Sequence, residues 1–328
     1  MRILVTGASG FIGGRFARFA LEQGLDVRVN GRRADAVAHL VKRGAQFIPG
    51  DLGNAEVARR VCQGVDIVVH CAGAVGTWGH YQDFHQGNVV LTENIVEGCL
   101  KEHVRRLVHL SSAALYGDGP GLLDVREAPL PRRFHDHYAA TRQVAEQKVF
   151  GAGEFGLEVL VLRPSPVVGA GDTRLFPAWI ERQRQGRLAI VGNGLNKVDF
   201  TSVHNLNGAL LSALFVDAQA LGQAYNIGNG QPVPLWDAIN YVMRRLQLPQ
   251  ATRYRAPGPA YARAVLAEAA CLAWPGQPEP RSTRAAVKRD CRDFTLDIGR
   301  ARQHLDYRPK TCLWSALDEF CAWWQAST

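Results

Sequence analysis

The sequence predicts an α/β protein: a doubly wound parallel sheet with a smaller mixed α/β C-terminal part. Three observations predict it. Up to Leu162, short apolar runs rich in Val, Ile and Leu alternate with helical patterns. A glycine-rich turn stands between the first such run and the first helical pattern. After Pro164 the rhythm loosens, and glycine and proline punctuate VGNG, IGNGQPVP, APGP and WPGQPEP. Runs that are apolar throughout belong to strands covered on both faces, joined by right-handed helical crossovers.

In chain order, strands are expected at Ile3–Thr6, Val27–Asn30, Phe47–Pro49, Ile67–His70, Arg106–Leu110 and Leu157–Leu162. Helices are expected between them at Phe11–Gln23, Ala34–Arg43, Ala55–Cys62, Val89–Glu102 and Tyr138–Phe150. Residues 1–170, with a returning segment near 196–228, form the expected dinucleotide-binding part. Residues 171–195 and 229–328 form the expected substrate-binding region.

The first strand runs into TGASGFIGG, which sets Gly7, Gly10 and Gly13 at the opening of the first helix. Gly7 permits a sharp turn, Gly10 lets a pyrophosphate approach the backbone, and Gly13 lets helix and sheet pack closely. Free amides at the helix N-terminus then hold the anion. Thr6, Ser9, Phe11 and Ile12 complete this expected cradle. The second strand ends in VRVNGRR. Gly31 stands where an acid ordinarily binds a ribose 2′-hydroxyl, and Arg32 and Arg33 offer guanidinium groups to a 2′-phosphate. NADP(H) is therefore expected over NAD(H), the bland alternative being two solvated arginines. Asp51 and Leu52 follow the third strand, where a carboxylate can accept from an adenine amino group. Cys71, Ala72 and Gly73 follow the fourth, leaving little bulk beneath an adenosine.

The fifth strand ends in Ser111 and Ser112, at the edge where open sheets bind ligands. Tyr138 and Arg142 follow, four residues apart and therefore on one helix face. A phenol titrates near pH 10, so a neighbouring cation is needed for it to act as a base at neutral pH. The alternative is a buried ring beside a surface charge on an amphipathic helix.

These residues, in this order, resemble the extended short-chain dehydrogenase/reductase superfamily, whose members share a Y-x-x-x-K pair on a Rossmann fold. AVGTWGHYQDFHQGNVVLTENIVEGC, RPSPVVGAGD, VGNGLNKVDFTSVHNLNGAL and AYNIGNGQPV look like its 3β-hydroxysteroid dehydrogenase branch, which includes the 2-alkyl-3-oxoalkanoate reductases. The resemblance implies Tyr138 as general acid/base, Ser112 hydrogen-bonded to the substrate oxygen with Ser111 beside it, and Pro164 to Val167 lining the nicotinamide. Asn88 would be a support residue. Arg142 replaces the family's lysine, keeping the charge and changing the shape. His204 stands where the family pattern has an aspartate. The implied function is NADP(H)-dependent oxidoreduction of a hydrophobic ketone or secondary alcohol, steroid-like or long-chain 3-oxo, by a homodimer. The helix Ala260–Trp274, with Trp236 and Trp274, either caps that substrate or packs in the core. Two other readings stay open: a cofactor-binding sensor of low activity, and a sugar-nucleotide epimerase or dehydratase.

Composition narrows the classes. With 47% hydrophobic and 21% charged residues the chain suits a folded domain. No apolar run reaches the length of a membrane span, and no signal peptide is read at MRILVTGASG. Seven cysteines without C-x-x-C spacing suggest reduced thiols in the cytoplasm and no metal. The net charge is +8, but the arginines are scattered, so no nucleic-acid partner is expected.

Overall fold

The computed structural model describes residues 1–117, 122–128, 130, 131, 134 and 136–327. Seven strands form one sheet: β1 (Arg2–Thr6), β2 (Asp26–Gly31), β3 (Gln46–Pro49), β4 (Ile67–His70), β5 (Arg106–Leu110), β6 (Glu158–Pro164) and β7 (Gln223–Ile227). Their order is β7-β6-β5-β4-β1-β2-β3, and every neighbouring pair is parallel. The order reverses at β1, so a crevice opens beyond the carboxyl ends of β1 and β4, where such sheets bind ligands.

Among the described residues ten longer helices accompany the sheet: α1 (Phe11–Glu22), α2 (Ala55–Cys62), α3 (Leu91–Lys101), α4 (His137–Ala152), α5 (Leu175–Arg184), α6 (Val203–Leu214), α7 (Leu235–Arg245), α8 (Pro257–Ala273), α9 (Arg284–Cys291) and α10 (Leu313–Ser327). Successive strand residues point to opposite faces, which divides the core. Ile3, Val5, Val29 and Leu160 pack with Phe16 of α1 and Leu210 of α6. Leu4, Val68, Leu107 and Val161 pack on the other face with Val61 of α2, Ile95 of α3 and Val149 of α4. A third cluster, around Phe176, Trp179, Phe200, Trp236 and Phe320, forms the core of the C-terminal part.

All six anticipated strands are present, within a residue or two at their ends. The seventh, β7, lay unread inside AYNIGNGQPV, because its partner β6 is some sixty residues earlier and local pattern carries no sign of that pairing. Residues 34–43, expected as one helix, hold a 3₁₀ turn at Asp35–Val37 and a single helical turn at Ala38–Val41. Ahead of α3 the backbone forms a π-helical turn, His85–Val90, which carries Asn88.

Candidate functional site

A cleft of about 1850 Å³ crosses the carboxyl edge of the sheet and continues into the C-terminal part. At its cofactor end, Gly7 adopts φ +66°, the left-handed region, and a Cβ there would lie 2.7 Å from the Ala72 amide nitrogen. The Gly10 amide donates to the Gly7 carbonyl at 2.9 Å, closing the turn. At Gly13 a Cβ would meet the Gly7 carbonyl oxygen at 2.5 Å, so only glycine lets α1 start so close to β1. Gly10 caps α1 without a side chain, leaving the first-turn amides of Phe11, Ile12 and Gly13 facing a lined cleft that suits an anion. Ser9, Gly31, Arg32, Asp51, Leu52, Cys71, Ala72 and Gly73 line the same end.

Two anticipated residues do not line it. Thr6 is fully buried beneath: its hydroxyl lies 2.8 Å from His70 Nδ1 and accepts from the Ala72 amide at 3.2 Å. It supports the turn after β4. Arg33 is exposed outside the cleft, so Arg32 alone of the arginine pair reaches it. Burial pushes the Cys71 thiol up to about 12, against the opposing pull of Arg142, so it acts as neutral packing.

The residues expected to be catalytic converge where β5 and β6 end. Asp136 caps α4, accepting from the Tyr138 amide at 2.7 Å, and so fixes Tyr138 in the first turn at the cleft wall. Arg142, one turn on, is 4% exposed. Its Nη1 donates to the Leu110 carbonyl at 3.1 Å, and its guanidinium carbon lies 5.4 Å from the centre of the Tyr138 ring. The guanidinium points into the cleft, not into solvent. Arg142 Nε, Asn88 Oδ1 and Ser111 Oγ are buried with no partner among the described residues. Asn88 donates to Thr141 Oγ1 at 3.0 Å. Ser112 Oγ accepts from the Ala114 amide at 3.1 Å, which leaves its own O–H to donate into the cleft. Pro164, Ser165, Pro166 and Val167 close this end.

Behind Arg142 lie two buried histidines that the sequence reading did not single out. His70 on β4 and His109 on β5 are register partners with ring centroids 5.3 Å apart. Burial, then Arg142, pushes His70 down to about 3; burial, His70 and Arg142 hold His109 well below the usual imidazole value. Both are neutral, so this cluster carries the single positive charge of Arg142. Register across parallel strands placed them together, and one strand's sequence does not report its neighbour's alignment.

At the far end Val75, Trp78, Phe84, Phe134, Leu175 and Leu272 line the wall beside the charged side chains of Arg174, Glu268, Arg284, Lys288, Arg289 and Arg292. Tyr261, Glu268 and Leu272 of α8 line it, whereas the two tryptophans do not. Trp236 is core, 2% exposed, its Nε1 donating to the Asp290 carbonyl at 3.0 Å, and Trp274 faces solvent. Two hydrogen bonds tie the loop after β4 to the C-terminal part: Trp78 Nε1 to the Gln277 carbonyl at 3.0 Å, and Arg174 Nη1 to the Val75 carbonyl at 2.7 Å. His204 lies away from the cleft. It shares Glu319 with Arg15, both at 2.5 Å, which clasps α6 and α1 to α10.

The family described as NAD dependent epimerase/dehydratase matches residues 3–228. The chain is 32% identical over 326 residues to a 2-alkyl-3-oxoalkanoate reductase of Stenotrophomonas maltophilia, covering 97% of each chain. It is 30% identical over 263 residues to the human sterol-4-alpha-carboxylate 3-dehydrogenase, decarboxylating, covering 78% of this chain and 69% of that one. Among solved structures, MoeE5 in complex with UDP-glucose and NAD superposes with a TM-score of 0.78 at 26% identity, covering 100% of this chain and 99% of that one.

Proposed function

The chain belongs to the NAD dependent epimerase/dehydratase family and is an NAD(P)-dependent enzyme of the extended short-chain dehydrogenase/reductase type; from that premise we propose that it is an NADP(H)-dependent oxidoreductase acting on a hydrophobic ketone or secondary alcohol. The observation that carries this reading is the convergence of Tyr138, Arg142 and the two strand-end serines beside Pro164–Val167, at the junction of the glycine cradle and a chamber walled in part by Val75, Trp78, Phe84 and Leu272.

A nicotinamide dinucleotide, when bound, supplies or accepts the hydride. The cradle suits one: Gly7 and Gly13 let the turn and α1 lie close against the strand ends, the uncapped first-turn amides of α1 face the cleft, and Ser111 Oγ is a buried polar atom with no partner among the described residues. The amides of Phe11, Ile12 and Gly13 would hold its pyrophosphate, Arg32 would meet a 2′-phosphate, and Asp51 would accept from the adenine. In the reductive direction Tyr138 delivers a proton from its phenol oxygen to the carbonyl oxygen, which Ser112 steadies by donating its hydroxyl hydrogen. The Arg142 cation steadies the negative charge that grows on the phenol as the proton leaves. The wall of Val75, Trp78, Phe84 and Leu272 excludes water and selects an apolar substrate, a long-chain 3-oxo compound or a steroid-like ketone. Residues 171–195 and 229–328 supply the substrate-binding region in this reading. The enzyme works in the cytoplasm as a homodimer paired through the outer faces of α3 and α4.

NADPH oxidation with 2-alkyl-3-oxo acids and steroid ketones, in wild type and Tyr138→Phe, tests the proposal. Turnover that vanishes with the phenol supports it. Tight cofactor binding without turnover of any ketone favours a sensor, and turnover of UDP-sugars favours an epimerase.

A further inference from the structure

Helix α8 is 17 residues long and buries only Ala264 and Glu268, two positions on one side. Around the rest, Ala262, Val265, Leu266, Ala269, Ala270, Leu272 and Ala273 are exposed, as is Trp274 just beyond the last turn. At about 100° per residue these positions span an arc of about 200°, within which Arg263 is the only charged side chain. Leu266 is 70% exposed and Trp274 67%. A helix face turned to water ordinarily carries charge; one that is apolar across such an arc needs a cover.

The flanks indicate which cover. Arg253, Arg255, Arg263 and Arg281 are exposed on or beside α8, against the exposed acid Glu279, in a chain of net charge +8. Cations framing an apolar stripe match phosphate headgroups above acyl chains. The same frame opposes a second copy of the chain, because pairing the patch with itself would set arginine against arginine. Among the described residues no helix is long and apolar enough to cross a membrane, so α8 would lie in the plane of a bilayer.

We propose that the outer face of α8 docks on an anionic lipid surface, with Val265, Leu266 and Trp274 entering the acyl boundary and the flanking arginines meeting the headgroups. The opposite side of this helix lines the cleft through Tyr261 and Glu268, and Leu272 stands at the border between the two faces. Docking therefore holds the wall of the substrate chamber against the phase in which hydrophobic ketones dissolve. That last consequence rests on the reductase reading; the docking itself does not.

Flotation of the full-length protein with phosphatidylcholine vesicles, with and without phosphatidylglycerol, tests the docking. The protein is expected to float with the anionic vesicles and to be released in part as ionic strength rises. Leu266→Glu combined with Trp274→Glu should lower the partition coefficient by at least about tenfold, with cofactor affinity unchanged. Leu266→Phe should retain binding. Absence of flotation with either vesicle, or equal flotation of the double variant, would overturn the proposal. So would a wild-type dimer that the double variant splits, since the face would then cover itself. Flotation is read without turnover, so its failure leaves the reductase proposal standing, and the converse holds.

Discussion

The guanidinium carbon of Arg142 lies 5.4 Å from the centre of the Tyr138 ring, on a side chain that is 4% exposed and anchored to the Leu110 carbonyl. The anchor is a single bond from Nη1 at the far end of the guanidinium, a reach that a lysine ammonium on its shorter side chain does not reproduce. Arg142→Lys is therefore expected to lower kcat by about tenfold to a hundredfold, because the charge is displaced while its sign is kept. Tyr138→Phe removes the proposed proton donor and should cost about 10² to 10⁴ in kcat with cofactor affinity little changed. Steady-state kinetics on both variants decides: a lysine variant faster than wild type would show that the arginine handicaps the site.

Gly73 belongs to the same arrangement. A Cβ there would fall 2.4 Å from Arg142 Nη2 and 2.8 Å from Asn88 Oδ1, so Gly73→Ala must push the guanidinium aside. A shift of about 1 Å is expected to reduce kcat by roughly a hundredfold, and crowding to destabilise the fold by about 1–3 kcal/mol. Circular dichroism and kinetics separate the two effects. A folded variant with wild-type kcat would remove Arg142 from the catalytic argument.

Arg32 lines the cleft and Arg33 does not. Arg32→Ala should weaken NADPH binding by about tenfold to a hundredfold, the loss of a charge-assisted contact, while leaving NADH nearly untouched. Arg33→Ala should change either affinity by less than about threefold, as for an exposed charge. Fluorescence titration of both nucleotides measures this. Equal affinities of wild type for the two would defeat the NADP(H) assignment.

Stability should carry two opposed responses to pH. His70 is pushed down to about 3 by burial and then Arg142, and burial, His70 and Arg142 hold His109 well below the usual imidazole value of 6.5; below that value the unfolded chain binds protons that the folded one does not. Their contribution is complete above pH 6.5 and lost as pH falls. Asp199, pushed up to about 6 by burial, does the reverse. Between 3.8 and about 6 its folded form holds a proton that the unfolded form has released, so its contribution is lost as pH rises. Each group changes the slope by at most about 1.4 kcal/mol per pH unit. Asp199→Asn removes only the opposing response. Its stability should rise with pH more steeply than wild type between about 4 and 6, by roughly one proton's worth. Urea midpoints across that range measure the slopes, and parallel curves would show that Asp199 is not the opposing group.

Much of this architecture was legible where the signal is local. The glycine turn, the apolar strands and the i, i+4 pairing of Tyr138 with Arg142 each depend on neighbours in sequence, and the structure reproduces them. What escaped depends on distance. The pairing of β7 with β6 and the facing of His70 by His109 are matters of register between strands far apart in the chain. Trp236 illustrates another limit: periodicity shows that a residue is inward, without saying whether inward means cleft or core. His204, unexplained by motif, serves as half of a clasp whose other half is over a hundred residues away.

The bonds from Trp78 to Gln277 and from Arg174 to Val75 fasten the loop after β4 across the chamber as a light latch. At about 1 kcal/mol net apiece, two such bonds by themselves would be undone a few per cent of the time. Release of that order would let bulky molecules pass in frequent brief openings, and a slow catalytic cycle would then have its delay in the chemistry rather than at the door.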